Sequence, residues 1–251
     1  MLLIMALPRL LLPVLLGLLM IDASMELAFI SYMVSWLHHT AGGDFEIIAP
    51  STSDKLSFPL HGKPEVMYVN QGHTSNAAAG TAFVLVGIGG IIALTLRHHW
   101  TKKGMLGTFV TALHQTWILT TILSALLTLA ALIYTFVLTK LHSIHHINLD
   151  VAVSLDNRPY PNYVAYPLDE WTPETWFVGV LELQLVYPAE RNDIVHHLRI
   201  MRAWRWNLIP MFILGLGLCV MTVCDGLQRR KRYAVARPEE FELQKGRRRQ
   251  A

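Results

Sequence analysis

The chain is poor in charge. Of its 251 residues only 16% are Asp, Glu, Lys or Arg, against roughly 25% in an average soluble protein. So few charges exclude a disordered chain, a nucleic-acid-binding arm and an ordinary soluble domain. Cysteine is almost missing too. Cys219 and Cys224 are the two present, which excludes a disulfide-stapled secreted module and a cysteine-rich metal domain. Their CxxxxC spacing inside one apolar run also excludes a redox CxxC pair. No Asn-x-Ser/Thr sequon occurs, so nothing reports glycosylation. What remains is apolar: 53% of the residues, gathered into long uncharged runs.

Four of these runs exceed the roughly 18 residues that a transmembrane helix needs. They cover about 10–37, 76–96, 107–139 and 208–226. A cleaved signal peptide would start with a basic segment and keep its apolar stretch short. Here Arg9 follows eight apolar residues and the run continues far beyond, so the first span is expected to stay, with Pro8 and Pro13 loosening its first turns. The expected fold is a membrane all-α core, a four-helix transmembrane bundle forming one domain over 1–251. A small lumenal or extracellular β-containing cap is expected from the two long loops, 38–75 and 140–207.

Orientation follows from Lys and Arg. Thirteen of the 21 lie in short segments on one side: Arg9, the turn with Arg97, Lys102 and Lys103, and the tail 227–251. The other eight are diluted over the two long loops. Both termini are therefore expected in the cytosol, with the loops facing the lumen or the exterior of an endoplasmic-reticulum, endomembrane or plasma membrane. The tail segment Arg229-Arg230-Lys231-Arg232 reads as a stop-transfer anchor at the anionic leaflet.

In the first loop, Phe45–Ile48 and Glu65–Val69 are strand candidates between prolines 50, 59 and 64. In the second, residues 147–156 alternate apolar and polar with a period of two, and Phe177, Leu181, Leu183, Leu185 and Tyr187 form another alternating series. From Ala189 to Arg205 the spacing turns helical, with Ile194, Leu198, Met201 and Trp204 on one stripe that leads into the last span. Four spans crowned by a sheet are similar in outline to the claudin-type architecture. The Trp…Gly-Leu-Trp…Cys…Cys signature of that family and the Cys-Cys-Gly motif of tetraspanins are both missing, so no family is assigned.

Two carboxyls interrupt the first span. Asp22 and Glu26 lie four apart and project from one helix face. A carboxylate at the bilayer centre costs roughly 2.5–3.5 kcal/mol, so both are expected to face the protein interior or a water-filled cavity. The other three spans hold no Lys or Arg to neutralise them, and at least one is expected to carry a proton. Thr111, His114, Gln115 and Thr120 of the third span are candidate neighbours. Asp22, Glu26 and His114 then form a candidate acid/base set. The competing reading is a polar node that packs helices.

Histidine is the second feature. Nine of the 12 fall on the expected lumenal side, and His142-Ser143-Ile144-His145-His146 has the form HxxHH. On a helix these three histidines share a face, a geometry suited to Zn, Cu or Fe. The spacing resembles one histidine box of membrane-bound di-iron oxygenases and desaturases. That family groups several boxes on the cytosolic face, whereas the other pairs here are bare His-His dipeptides. Interfacial packing and sensing of acidic pH are the alternatives for these residues.

Small residues in the second span (Ala79, Ala82, Gly87, Gly90, Ala93) and Gly215 and Gly217 in the fourth are expected to let helices approach closely. Trp36, Trp100, Trp204 and Trp206 read as an interfacial belt. Trp171 and Trp176 flank an acidic turn that would line a cleft or touch the membrane.

Three functions follow. The first is a small membrane-embedded enzyme acting on a lipophilic metabolite or lipid by isomerisation, cyclisation or hydration, with no cofactor. The second is a non-catalytic four-span scaffold that organises membrane-protein partners, or copies of itself, through its loops. The third is a metal site at His142, His145 and His146. The lipid bilayer is the expected surrounding partner and nucleic acid is excluded.

Overall fold

The computed structural model describes residues 2–99, 105–155 and 171–236. It is mostly helical, with a small two-stranded sheet. In chain order the elements are α1 (Leu2–His39), β1 (Asp44–Ile48), β2 (Ser57–His61), α2 (Asn70–Gly80), a π-helical stretch (Thr81–Ile88), α3 (Gly89–His99), α4 (Met105–Leu141), α5 (Leu149–Ser154), α6 (Pro173–Glu182) and α7 (Pro188–Ala236). Four helical stretches are long and apolar enough to cross a membrane: Leu11–His39, Asn70–His98, Gly107–Leu141 and Pro188–Arg229. Their backbone groups are paired within the helix, which hydrocarbon requires. On α1, Leu11, Val14, Leu18, Ile21 and Met25 recur every three or four residues on an exposed face. Such a stripe is costly in water and solvated in lipid. The proline residues do not break the helices: α7 runs through Pro210.

The chain divides into two compact units, and each long helix contributes a segment to both. The first unit comprises residues 1–21, 81–127 and 211–251. Its helices meet through small residues, as expected from the second span. A Cβ placed on Gly87 would lie 2.5 Å from Met20 Cγ, and one on Gly90 would lie 2.8 Å from the Trp117 ring. The Trp117 indole N–H donates to the Val86 carbonyl at 2.9 Å, inside the π-helical stretch. Thr121 and Thr222 join α4 to α7 through hydroxyls 3.2 Å apart. Gly215 faces open space, and Gly217 only reaches Leu15 at 4.0 Å, so neither makes the close approach expected of it.

The second unit comprises residues 22–80 and 128–210. β1 and β2 pair antiparallel, from Asp44 opposite His61 to Ile48 opposite Ser57. Phe45, Ile47, Phe58 and Leu60 turn inward. The segment before α7 extends the sheet: Ile48 donates to the Gln184 carbonyl and Val186 donates to the Glu46 carbonyl, each at 2.8 Å. These side chains pack with Trp36, Trp171, Trp176, Phe177, Ile194 and Met201 in one core. Trp176 is fully buried and donates to the Gly62 carbonyl at 2.9 Å.

Several expectations are corrected. Glu65–Val69 is irregular; the second strand is Ser57–His61. Within 147–156, residues Leu149–Ser154 form a helix, because the Asn148 side chain accepts from the Asp150 and Val151 amides and caps it. Residue 156 lies outside the described residues. Phe177 and Leu181 are helical as well: Thr172 and Thr175 form a reciprocal cap and Pro173 occupies the first turn. The stripe Ile194, Leu198, Met201, Trp204 is buried as read. Trp36 and Trp204 are buried rather than interfacial, and Trp171 and Trp176 belong to the core. Trp206 is exposed, edge-on to Phe136. Trp100 lies outside the described residues.

Candidate functional site

The polar side chains of the second unit centre on Glu26. It is fully buried on α1, one turn after Asp22. Asn207 of α7 donates its amide to Glu26 Oε2 at 3.0 Å and to the Asp22 carbonyl at 3.3 Å. That single side chain links α7 to both acid positions. Glu26 Oε1 and Asp22 Oδ2 are buried without a hydrogen-bond partner. The Trp204 indole faces the Glu26 carboxyl but completes no hydrogen bond to it. Each carboxyl therefore keeps one oxygen free inside the protein, while Asn207 fixes the orientation of Glu26.

Beside this node lies a cavity of about 810 Å³. Its long wall is the C-terminal part of α1, from Ile30 to His39, and the first turns of α2 face it. Pro173, Met201 and Trp204 form its buried floor. Among the described residues no Asp, Glu, Lys or Arg lines it. Ile30 follows Glu26 by one helical turn, and Trp204 is shared between the cavity wall and the carboxyl. Glu26 thus lies one helical turn from the cavity wall along α1. Gln71, in the first turn of α2, also lines the cavity; it is 2% exposed and its Oε1 has no hydrogen-bond partner.

Glu174 of α6 is the other buried carboxylate of this unit. It pairs with Arg205 at 3.1 Å and Arg202 at 3.4 Å, tying α6 to α7. Burial pushes its pKa up, and the two arginines pull it partly back.

His114 belongs to the first unit and has different partners. Arg97 reaches its Nε2 at 3.0 Å and donates to Asp225 Oδ2 at 2.6 Å. Arg229 donates to the same oxygen at 3.0 Å. Its polar contacts among the described residues are with Arg97 and Asp225. Thr111 and Thr120 bond to carbonyls of their own helix, those of Gly107 and Thr116. Asp225 was passed over because it closes the last expected span. An acid there, four residues before Arg229, is the available signal.

The HxxHH residues do not share a helix face, because α4 ends at Leu141. His142 Nδ1 lies 3.0 Å from the Leu138 carbonyl, and its ring is 5.7 Å from that of His145. His146 Nδ1 is 2.6 Å from Glu182 Oε2. Burial and the neighbouring His145 hold the His142 pKa below its ordinary value. Among the described residues no three His, Cys, Asp or Glu side chains group as a metal site.

Comparison of the chain with protein-family models, with curated proteins and with solved structures finds no match in any of the three.

Proposed function

We propose that this multi-pass protein takes a lipophilic small molecule or lipid into the cavity between α1 and α2, on the lumenal side, and acts on it by cofactor-free acid/base chemistry. The cavity is the observation that supports the reading. Its volume of about 810 Å³ falls within the range of roughly 300–1,000 Å³ common for small-molecule sites. A lining without charge favours alkyl groups, each buried methylene contributing about 0.8 kcal/mol. Near Trp204, Glu26 offers a carboxyl with one oxygen uncommitted, and Asp22 offers a second carboxyl one turn away. A substrate whose reacting atom passes Trp204 would meet Glu26 as acid or base, with Asp22 in the complementary role.

Photolabelling tests binding. The protein in lipid nanodiscs is irradiated with a long-chain alcohol carrying a diazirine on its chain, and labelled peptides are mapped. Labels are expected in 30–39 and 69–76, competed by unlabelled alcohol. Equal labelling of exposed faces such as Leu119, Leu123 and Leu126, without competition, overturns the proposal and leaves the scaffold reading in its place. Asp22→Asn and Glu26→Gln separate binding from chemistry. Both are expected to keep the cavity label and to lose conversion of any bound molecule that wild type transforms. Conversion retained in both variants would sink the acid/base assignment.

A further inference from the structure

We infer that the cavity selects a neutral amphiphile whose head carries a hydrogen-bond donor, a hydroxyl or an amide N–H, and that Gln71 recognises it. The inference rests on the proposed binding of a lipophilic molecule and specifies its head group. Gln71 is almost wholly buried, it lines the cavity from the first turn of α2, and its Oε1 accepts no hydrogen bond among the described residues. A buried amide oxygen without a donor is costly, so a bound group that supplies one is favoured. An acceptor is satisfied by O–H or N–H and gains nothing from an ether or ester oxygen.

The charge of the wall sets the second half of the class. A phosphate, carboxylate or ammonium head entering this cavity would lose water and meet no fixed opposite charge from the described residues, among which no Asp, Glu, Lys or Arg lines it. The titratable side chains of the lining are His38, His39 and His73, and all three are exposed. They and Gln71 sit in the last turn of α1 and the first turn of α2. Ile30, Met33, Val34, Met201 and Trp204 supply apolar wall for the chain. The head therefore belongs at the start of α2, with the tail running along α1.

The test is competition against the diazirine alcohol by compounds with one shared alkyl chain and different heads: alcohol, primary amide, methyl ether, carboxylate and ammonium. In wild type the alcohol and amide are expected to compete at about tenfold lower concentration than the ether, the equivalent of one net hydrogen bond to a buried acceptor. Carboxylate and ammonium are expected to be weaker than the alcohol. Gln71→Met keeps the length and removes the amide acceptor, and is expected to bring alcohol and ether within about twofold of each other. The wild-type series decides the head-group class even if that variant fails to fold, and Gln71→Asn then tests the reach of the amide. Alcohol and ether competing equally, or the carboxylate competing best, overturns the inference while the cavity reading stands. A preference that persists in the folded Gln71→Met protein overturns the role of Gln71. Absence of any competable cavity label overturns the proposed function itself.

Discussion

Replacing Gly72 by leucine separates the cavity from the fold that surrounds it. Gly72 lines the cavity from the first turn of α2, and a Cβ added there meets no atom within 4 Å. The backbone accepts an L-residue at this position, so a larger side chain should stabilise the helix, by about 0.4–1 kcal/mol through the unfolded state. For a chain of this size that corresponds to a rise in Tm of about 1–4 °C. Ligand affinity should move the other way. A leucine side chain takes the room of roughly three to four ligand methylenes at about 0.8 kcal/mol each, so binding weakens by about 2–3 kcal/mol, on the order of 30–150-fold. Thermal unfolding in detergent measures the first effect, and competition for the diazirine label measures the second. Gly72→Ala, which adds one methyl group to open space, serves as control and should raise Tm with little effect on binding. An unchanged label in a stabilised Gly72→Leu protein would refute the assignment of the cavity as the binding site.

Two further predictions concern the fold. Gly90→Ala should destabilise the protein by about 1–3 kcal/mol, because the new methyl would lie 2.8 Å from a Trp117 ring that the Val86 carbonyl holds in place; a thermal midpoint within 1 °C of wild type would contradict it. Glu174→Gln tests the sign of a buried charge. The folded protein holds the Glu174 pKa above its ordinary value of 4.5, so folding takes up protons between that value and the raised one. Wild type should therefore gain stability relative to Glu174→Gln as the pH falls from neutral toward 4.5 and lose it as the pH rises. Paired denaturant titrations across that window check the slope, and a slope of opposite sign would show that the arginines outweigh burial.

The elements legible in the sequence were those whose signal is long or redundant. An apolar run of more than twenty residues can satisfy its backbone in lipid only as a helix, so α1, α4 and α7 were readable despite their prolines. The strand at Phe45–Ile48 was readable because β-prone Phe45, Ile47 and Ile48 form a short run that ends at Pro50. Alternation failed as a criterion at Leu149–Ser154 and Pro173–Glu182. A period of two over five or six residues is shared by short helices whose caps decide the matter, and Asn148 and Thr172-Pro173 are such caps. For the candidate site, burial of Glu26 followed from the cost of exposing a carboxyl to hydrocarbon. Its partner Asn207 lies 181 positions away and left no local trace. The contacts of His114 with Arg97 and Asp225 likewise join positions 17 and 111 residues apart and leave no local trace.

The sequence by itself determined the number of long apolar helices, the sorting of basic residues to their ends, and the demand that the two acids of the first span find shelter. These are sums over local properties: length, hydropathy and charge per segment. Tertiary structure alone decided what the acids meet, which carboxyl and amide oxygens stay unpaired, and where a cavity opens. Those depend on the rotation and depth of each helix against its neighbours, and a shift of one residue turns a helix by about 100 degrees. The scarcity of charge announces that Asp22 and Glu26 are unusual; only the packed structure shows that Asn207, from a distant helix, is what they meet.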